Sequence, residues 1–480
     1  MLTLVNTNRV APPIAPVGLD YLAGALRDAR IDFDVLDLGL VDDPQAAIER
    51  HFAERRPDLV AVSFRNVDDC FWPGGAWFVP DLRATVAGIR RVCDAPIVVG
   101  GVGYSIFARP IAEYAAVDFG IQGDGEQALV RLLAEIRGPK RFDRVPGLVW
   151  RHGAAVQANP AALPRELPIA QPRDTIDNAA YFRLGGQIGI ETKRGCNRRC
   201  IYCPEPRIKG STVRLRSPVL VADEFESLLA QGVDVVHLCD SEFNLPILHA
   251  RAVCEELIRR RLGERIRWYA YLTVTPFDAE LARQMRRAGC VGINFTGDAA
   301  SPAMLATYRQ PHGADDLART VRLCRENGIR VMVDLLFGGP GETPATVEES
   351  IRSIQRFEPD CAGAALGIRL YPQTAVETMI RAEGPWDANP NVHRRYVGPI
   401  DLLKPTFYVS ADLGDEPARL VREIIGGDPR FFEPADESPS TAADAESGYN
   451  YNENRVLADA IAGGARGAYW DILSRLRTGT

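Results

Sequence analysis

Residues 193–204 read KRGCNRRCIYCP, and they place Cys196, Cys200 and Cys203 within eight residues. Thiols four and three positions apart on one loop are able to point at a common centre. A structural zinc site closes with four Cys or His ligands, so a fourth is expected at similar short spacing. None follows, and the next candidates, His237 and Cys239, lie on a different predicted strand. A [4Fe–4S] cluster is normally held by one thiolate per iron, so three thiolates leave one iron open for an exogenous ligand. Three unrelated buried cysteines, or a zinc knuckle, are the alternative readings.

The loop follows a strand-like IGIETK, and beyond it apolar strands alternate with helical patterns: VDVVHLCDSE, ARAVCEELIRRRL, IRWYAYLTV, DAELARQMRRAG, VGINFTGD, DLARTVRLCRENG, RVMVDLLFGG, TVEESIRSIQRF and CAGAALGIRLYP. About six strand–helix units predict a partial (β/α)6 barrel, with its active site at the C-terminal ends of the strands. The cysteine loop sits where the first such end would present it.

In this setting the chain resembles the radical S-adenosylmethionine (SAM) superfamily, whose signature is CxxxCxxC with an aromatic residue before the third cysteine, here Tyr202 in CNRRCIYC. The resemblance implies a [4Fe–4S] cluster on Cys196, Cys200 and Cys203, with the amino and carboxylate groups of SAM on the open iron. It also implies that Tyr202 contributes to the SAM site. Asp240, Ser241 and Glu242 stand where the family holds the SAM amino group, without the glycines usual there. LLFGGPGET, with Gly338 and Gly339, resembles the turn that approaches the adenine, or is an ordinary strand-to-helix turn capped by Glu342 or Thr343. Arg369 in GIRLYP is a candidate SAM contact or the member of a salt bridge at the barrel rim.

The first 135 residues show the same alternation, from LTLVNTN through ALVRLLAEI, which predicts a parallel doubly wound sheet with ligands at its strand ends. A doubly wound domain before this barrel resembles the cobalamin-dependent subclass, closest to its tryptophan 2-methyltransferase-like group. The likeness runs through VNTNRVAPPIAPVGLDYLAGAL, SFRNVDDC, GGVGYS and GDGE and covers roughly residues 1–375. It implies a cobalamin site at Asn8, Pro13, Arg65, Asn66, Gly100, Gly101, Gly103, Gly123, Gly125 and Glu126. The usual cobalamin signature Asp-x-His-x-x-Gly is missing: the first loop reads Asn6-Thr7-Asn8-Arg9, and the only histidine of the domain is His51, in a helical pattern. Cobalamin without a protein His ligand, with Arg65 on its lower face, is one reading; a fold retained without the cofactor is the other. Neither GGVG nor GDGE satisfies the dinucleotide fingerprint, which disfavours NAD and FAD.

The expected fold class is therefore α/β: a Rossmann-like, cobalamin-binding-type domain (1–135), a linker with a hairpin at GLVWRHGAAVQ (136–186), the radical SAM partial barrel (187–385) and a mainly helical C-terminal domain or lid (386–480). The polar EPADESPSTAADAESG reads as a mobile loop. YNYNENRVLADAI and GAYWDIL line the substrate pocket or, as preferred here, anchor a terminal helix on the barrel.

By this resemblance the enzyme moves a methyl group from SAM through cobalamin to a weakly nucleophilic atom of an amino acid or natural-product precursor. An external donor of the flavodoxin or ferredoxin type supplies electrons. The alternative is a cobalamin-independent radical SAM enzyme with a vestigial first domain. Tyr269, Tyr271 and Asp334, near predicted strand ends, are the candidate acid–base residues, against packing roles. A tRNA methylthiotransferase would need three more cysteines, and only Cys70 and Cys93 precede the linker. A regulatory Fe–S protein would leave the barrel unexplained. A net charge of -7 argues against a nucleic-acid partner, and the absence of a signal peptide or long apolar run predicts a cytoplasmic protein off the membrane.

Overall fold

The computed structural model describes residues 1–153, 155–161, 163–165, 167, 173–435, 451–452 and 454–479. The first sheet contains β1 (Leu2–Asn6), β2 (Phe33–Asp37), β3 (Leu59–Ser63), β4 (Ile97–Gly100) and β5 (Phe119–Ile121), parallel and ordered β2-β1-β3-β4-β5. Side chains along these strands alternate between two cores. Leu2, Leu4, Leu59, Ala61 and Val98 meet helices Val17–Asp28 and Glu126–Arg137, while Val5, Val60, Val62, Ile97 and Val99 meet helices Pro44–Glu54 and Val79–Arg90. Burial on both faces is why LTLVN and LVAVS are almost continuously apolar. The chain leaves β1 on one side for β2 and on the other for β3, which opens a crevice above their carboxyl ends.

The hairpin expected within the linker instead belongs to this sheet. β6 (Leu148–His152) runs antiparallel to β5, and β7 (Ala155–Ala158) pairs with β6. Its Leu148 and Val149 are buried because they cover the β5 edge, which would otherwise stay unpaired.

The barrel begins with β8 (Gly189–Ile190). An antiparallel pair, β9 (Lys193–Arg194) and β10 (Arg214–Leu215), brackets the cysteine loop. β11 (Val235–Leu238), β12 (Arg267–Thr273), β13 (Cys290–Asp298), β14 (Arg330–Phe337) and β15 (Cys361–Leu366) complete six parallel strands ordered β8-β11-β12-β13-β14-β15. Period-two alternation explains the strand sequences. Trp268, Ala270 and Leu272 of β12, and Val331, Val333, Leu335 and Phe337 of β14, join the core shared with the outer helices. Tyr269, Tyr271, Met332 and Asp334 occupy the opposite, lumen-facing parity. β16 (Ile368–Arg369), β17 (Val392–Arg394) and β18 (Thr406–Tyr408) form a small antiparallel sheet, and β19 (Phe431–Phe432) adds a seventh parallel strand beside β15.

Helices Arg455–Ala462 and Tyr469–Thr478 plug the N-terminal ends of the barrel strands, where Leu457, Trp470 and Leu473 pack with Val235, Tyr269, Met332, Cys361 and Phe432. The mobile loop expected at EPADESPSTAADAESG falls mostly outside the described residues. Among the described residues no helix is long and apolar enough to cross a membrane.

The two α/β units are joined by buried charge. Arg173 is fully buried and donates from Nε to Asp20 of the first unit (2.8 Å) and from Nη1 to the Gly189 carbonyl of the barrel (2.8 Å). Tyr21 donates to Glu224 across the same boundary (3.1 Å), and Glu224 also takes Arg216 (2.7 Å).

Candidate active site

The β9–β10 pair fixes both ends of the loop that carries the cysteines. Gly195 opens it at φ +102°, where a Cβ would lie 2.5 Å from the Thr212 carbonyl, so both the turn and the close approach require glycine. The Cys196 amide donates to the Gly210 carbonyl (3.0 Å), the Cys203 amide donates to the Cys200 carbonyl (3.3 Å), and Ile201 is sunk into an apolar cluster. None of the three cysteines forms a disulfide. Burial pushes all three thiols up, Cys200 to about 11, so they bind metal as thiolates only by giving up their protons to solvent. The amide of Gln310 donates to Cys200 Sγ (3.3 Å) and to Asp298, and the Tyr202 hydroxyl donates to Asp298 (2.5 Å).

Among the described residues no three His, Cys, Asp or Glu side chains converge on one point as a single metal ion demands. Three thiols on one loop, with no fourth Cys or His at similar short spacing, fit a [4Fe–4S] cluster with one open iron better than a closed four-ligand zinc site.

Of the residues expected around SAM, only some are open to a ligand. Asp240 accepts from the Thr192 amide (2.7 Å), the Thr192 hydroxyl and the Lys193 amide (3.2 Å), so it pins the strand that enters the cysteine loop. Ser241 donates to Glu205 (2.7 Å). Glu242 differs: Oε1 accepts from Thr296 (3.0 Å), while Oε2 is buried with no partner among the described residues, and burial raises its pKa to about 8. It is the acceptor of the segment left for a cation, an ammonium or a metal. The amides of Gly338 and Gly339 both donate to Glu342, and Thr343 caps the helix Pro344–Phe357, so the turn is satisfied internally. Arg369 corrects the expectation of a SAM contact. Its Nε and Nη2 bind Asp68 (both 2.8 Å) and its other donors meet the carbonyls of Leu370, Leu402 and Thr406, leaving no N–H for a ligand.

A cavity of ≈ 470 Å³ lies between the strand ends of the first sheet and the barrel. Asn8, Arg65, Asn66, Gly100, Gly101, Gly123, Gly125 and Glu126 line it, each at or shortly after the carboxyl end of a strand of the first sheet. Two expected residues do not. The Pro13 carbonyl is taken by the Tyr469 hydroxyl (3.2 Å), and Gly103 lies on a short helix where a Cβ would come within 2.9 Å of the Arg65 backbone. Glu126 is bound to Arg194 (3.0 Å). Arg65 is exposed to the cavity and makes no hydrogen bond or ion pair with another described residue. His51 sits beside Asp34 (3.4 Å) and does not line the cavity. Leu19, Leu22, Val62, Val98, Ile121 and Leu129 give one side an apolar wall suited to the hydrocarbon periphery of a corrinoid, and the glycines leave room for it.

The barrel contributes Gly189, Glu191, Arg194, Lys209, His237, Cys239 and Tyr271 to the same cavity. Sequence reasoning named Tyr271 and missed the rest as pocket residues, although His237 and Cys239 share one parity of β11. Tyr271 lines the cavity with its ring partly open to it, and enclosure between the two units, with Asp334 nearby, lifts its phenol to about 12. Tyr269 does not. Its hydroxyl donates to Asp471 (2.8 Å) and its ring packs edge-on against Trp470, so it belongs to the terminal plug.

Residues 190–354 match the model of the Radical SAM superfamily, and residues 3–133 match the B12 binding domain. The chain is 33% identical to the tryptophan 2-C-methyltransferase of Streptomyces laurentii over 436 residues, 77% of this chain and 73% of that one. It superimposes on the structure of TsrM, a radical SAM methyltransferase from Kitasatospora setae with tryptophan and a SAM analogue bound, with TM-score 0.91, 33% identity and coverage of 100% and 98% of the two chains. A second TsrM structure, with cobalamin and a [4Fe–4S] cluster bound, aligns with TM-score 0.88, 31% identity and coverage of 100% and 99%. The chain thus belongs to the cobalamin-dependent radical SAM enzymes, in the tryptophan 2-methyltransferase-like group, as a methyltransferase that acts on a small molecule with a [4Fe–4S] cluster, SAM and cobalamin as its cofactors.

Proposed function

We propose that this enzyme transfers a methyl group from SAM, by way of cobalamin, to a carbon of tryptophan or a closely related indole. The observation that carries the reading is one continuous cavity, which touches the strand ends of the first sheet, the segment flanking the three cysteines, and the lumen residues His237 and Tyr271. A methyl donor, a corrinoid and a substrate meet in such a space without any one leaving the protein. When bound, these cofactors supply the methyl group and the metal that relays it.

The chain's own residues bind, shield and orient. Cys196, Cys200 and Cys203 would hold the cluster, and Glu242, whose buried Oε2 has no partner among the described residues, would be left to meet a cation or metal. Arg65 presents to the cavity a guanidinium with no partner among the described residues; it would lie against a bound corrinoid, where its positive charge would disfavour coordination by a base. Tyr271 stays protonated at neutral pH and serves as a hydrogen-bond donor. Tryptophan as substrate rests on the methyltransferase from S. laurentii and on the ligand in the K. setae structure. A one-electron donor of the flavodoxin or ferredoxin type and a cytoplasmic site complete the proposal, without a nucleic-acid partner.

The test is anaerobic purification with cobalamin supplied, iron and cobalt quantification, then incubation with L-tryptophan and SAM labelled in its methyl group. Label on C2 of the indole is the expected result. Full iron and cobalt loading with no label on tryptophan would overturn the substrate assignment.

A further inference from the structure

The cysteine loop brings the cluster site to the protein surface. Cys196 is buried and Cys200 and Cys203 are half-buried, while Asn197 and Arg199, between the first two cysteines, are exposed. Arg309 is exposed as well, at the carboxyl end of helix Pro302–Tyr308. It precedes Gln310, whose amide donates to Cys200 Sγ (3.3 Å), so Arg199 and Arg309 stand one peptide from the two ends of a single hydrogen bond at the cluster site. Neither guanidinium makes a hydrogen bond or ion pair with another described residue. Arg198 of the same loop, half-buried, donates to the Thr275 carbonyl and forms no ion pair among the described residues.

On the outer helices, by contrast, the exposed Arg283, Arg319, Arg352 and Arg419 each hold a carboxylate three or four residues away. Asp315 is the exposed carboxylate of the segment that follows Arg309, so the patch keeps a positive surplus. The chain as a whole carries a net charge of -7, which repels a small acidic protein except where a local surplus of positive charge admits it. Weak electron-transfer encounters bury less than about 1,200 Å², so a few guanidiniums suffice to orient one. Guanidinium planes also stack on aromatic faces, and a reduced flavin is a planar anion whose ring edge lies at its carrier's surface.

We propose that Arg199 and Arg309, with Arg198 of the same loop, form the docking surface of an acidic flavodoxin-type carrier, so that electrons enter beside Cys200. This assignment rests on the electron-donor reading above. One electron leaves the anionic flavin hydroquinone, which becomes the neutral semiquinone, and the cluster takes it up, its charge falling from 2+ to 1+ with no proton exchanged. The surface governs how fast the loaded enzyme is reduced and leaves its metal content unchanged.

The test mixes enzyme carrying cluster and cobalamin anaerobically with purified flavodoxin hydroquinone in a stopped-flow spectrometer and follows semiquinone formation. Wild type is compared with Arg199→Glu/Arg309→Glu, Arg199→Gln/Arg309→Gln and, as a control, Arg50→Glu, a change at an exposed arginine on helix Pro44–Glu54 of the first unit. At low ionic strength the glutamate pair is expected to slow reduction roughly tenfold or more and to flatten its salt dependence, with the glutamine pair intermediate and the control unchanged. Reduced methyl viologen, a small cation that needs no docking surface, should reduce the glutamate pair no more slowly than wild type. A flavodoxin rate within about twofold of wild type would overturn the proposal, as would equal slowing by methyl viologen, which would place the effect on the cluster, or equal slowing in Arg50→Glu. A reduced ferredoxin that depends on these arginines while flavodoxin does not would overturn the choice of a flavin carrier. Should the change at Arg199 cost iron, Arg309→Glu alone takes its place, with a several-fold fall expected and its absence equally damaging. Wild type that methyl viologen reduces and flavodoxin does not removes the donor reading itself, a failure visible in unaltered enzyme and so distinct from failure of the surface.

Discussion

Replacing Arg173 by methionine removes a guanidinium while roughly keeping its volume, and it strikes the bond between the two α/β units. In the intact protein Arg173 has a fully buried side chain, binds Asp20 at 2.8 Å, lies 3.4 Å from both Glu224 and Asn178 Oδ1, and covers the Gly189 carbonyl. Removing one partner of a buried ion pair costs about 3–5 kcal/mol, because the remaining charge stays desolvated. Asp20 keeps the amides of Thr175 and Ile176 and the side-chain amide of Asn178, and Glu224 keeps Arg216 and Tyr21, so the low end applies. We expect a loss of about 3 kcal/mol, a large part of the ~5–15 kcal/mol typical of a folded domain. Equilibrium urea unfolding measures it, and cobalamin retention on gel filtration reports whether the cavity between the units has loosened. The double variant Arg173→Met/Asp20→Asn, which removes the stranded charge, should recover part of the loss. An Arg173→Met midpoint within about 1 kcal/mol of wild type, with unchanged slope and cofactor retention, would refute the claim that this network clamps the units together.

Cys203→Ala should drop iron from about four per chain to near none while cobalt binding persists, read by metal quantification after reconstitution. Gln310→Leu removes the N–H donor to Cys200 Sγ and so disfavours the more negative reduced cluster. A fall in reduction potential on the order of tens of millivolts is expected by spectroelectrochemistry, and an unchanged potential would discount that hydrogen bond. In the metal-free chain, burial raises Glu242 from 4.5 to about 8 on folding. The folded state then binds more protons between those values, so this residue's contribution is intact below about pH 4.5 and is lost as pH rises through about 8. Glu242→Gln should therefore gain stability over wild type, by up to a few kcal/mol, between pH 6 and pH 8.5 in thermal melts; a pH-independent difference would count against a desolvated carboxylate.

What the sequence made legible was local or periodic. The cysteine spacing is read within eight residues, and the period-two strands, alternating with helices, suffice for two parallel α/β units. What it hid depends on contacts far along the chain. Arg369 and Asp68 are 301 positions apart, and nothing near either one signals that the guanidinium is already satisfied. The hairpin of β6 and β7 sits in a Pro- and Arg-dense stretch that reads as linker, yet it is held by pairing with β5. β19 is two residues long, too short for any period to be seen. Tyr269 and Tyr271 share one strand and one parity, and only the terminal helices, near residue 470, decide that the first is plug and the second is pocket.

The charges around the cavity sharpen the absence of a cobalt-ligating histidine. Arg194 is spent on Asp124 (3.2 Å), Glu126 (3.0 Å) and Glu191 (2.7 Å), and Lys209 on Glu205 (3.0 Å). The pairs of Arg194 with Asp124 and Glu126 join the barrel's cysteine segment to the GDGE turn of the first unit and hold the rim closed, and neither Arg194 nor Lys209 has positive charge to spare for a ligand. Arg65 is then the lining cation left unpaired among the described residues. It follows β3 and stands beside the crevice between β1 and β3, where Asn6-Thr7-Asn8-Arg9 replaces the usual Asp-x-His-x-x-Gly. A guanidinium cannot give up a lone pair to a metal, and its field works against any neutral base that would. The missing histidine and the unpaired arginine fit one arrangement: a corrinoid held in this crevice would meet a cation and no protein base, which would favour uptake and release of a methyl group.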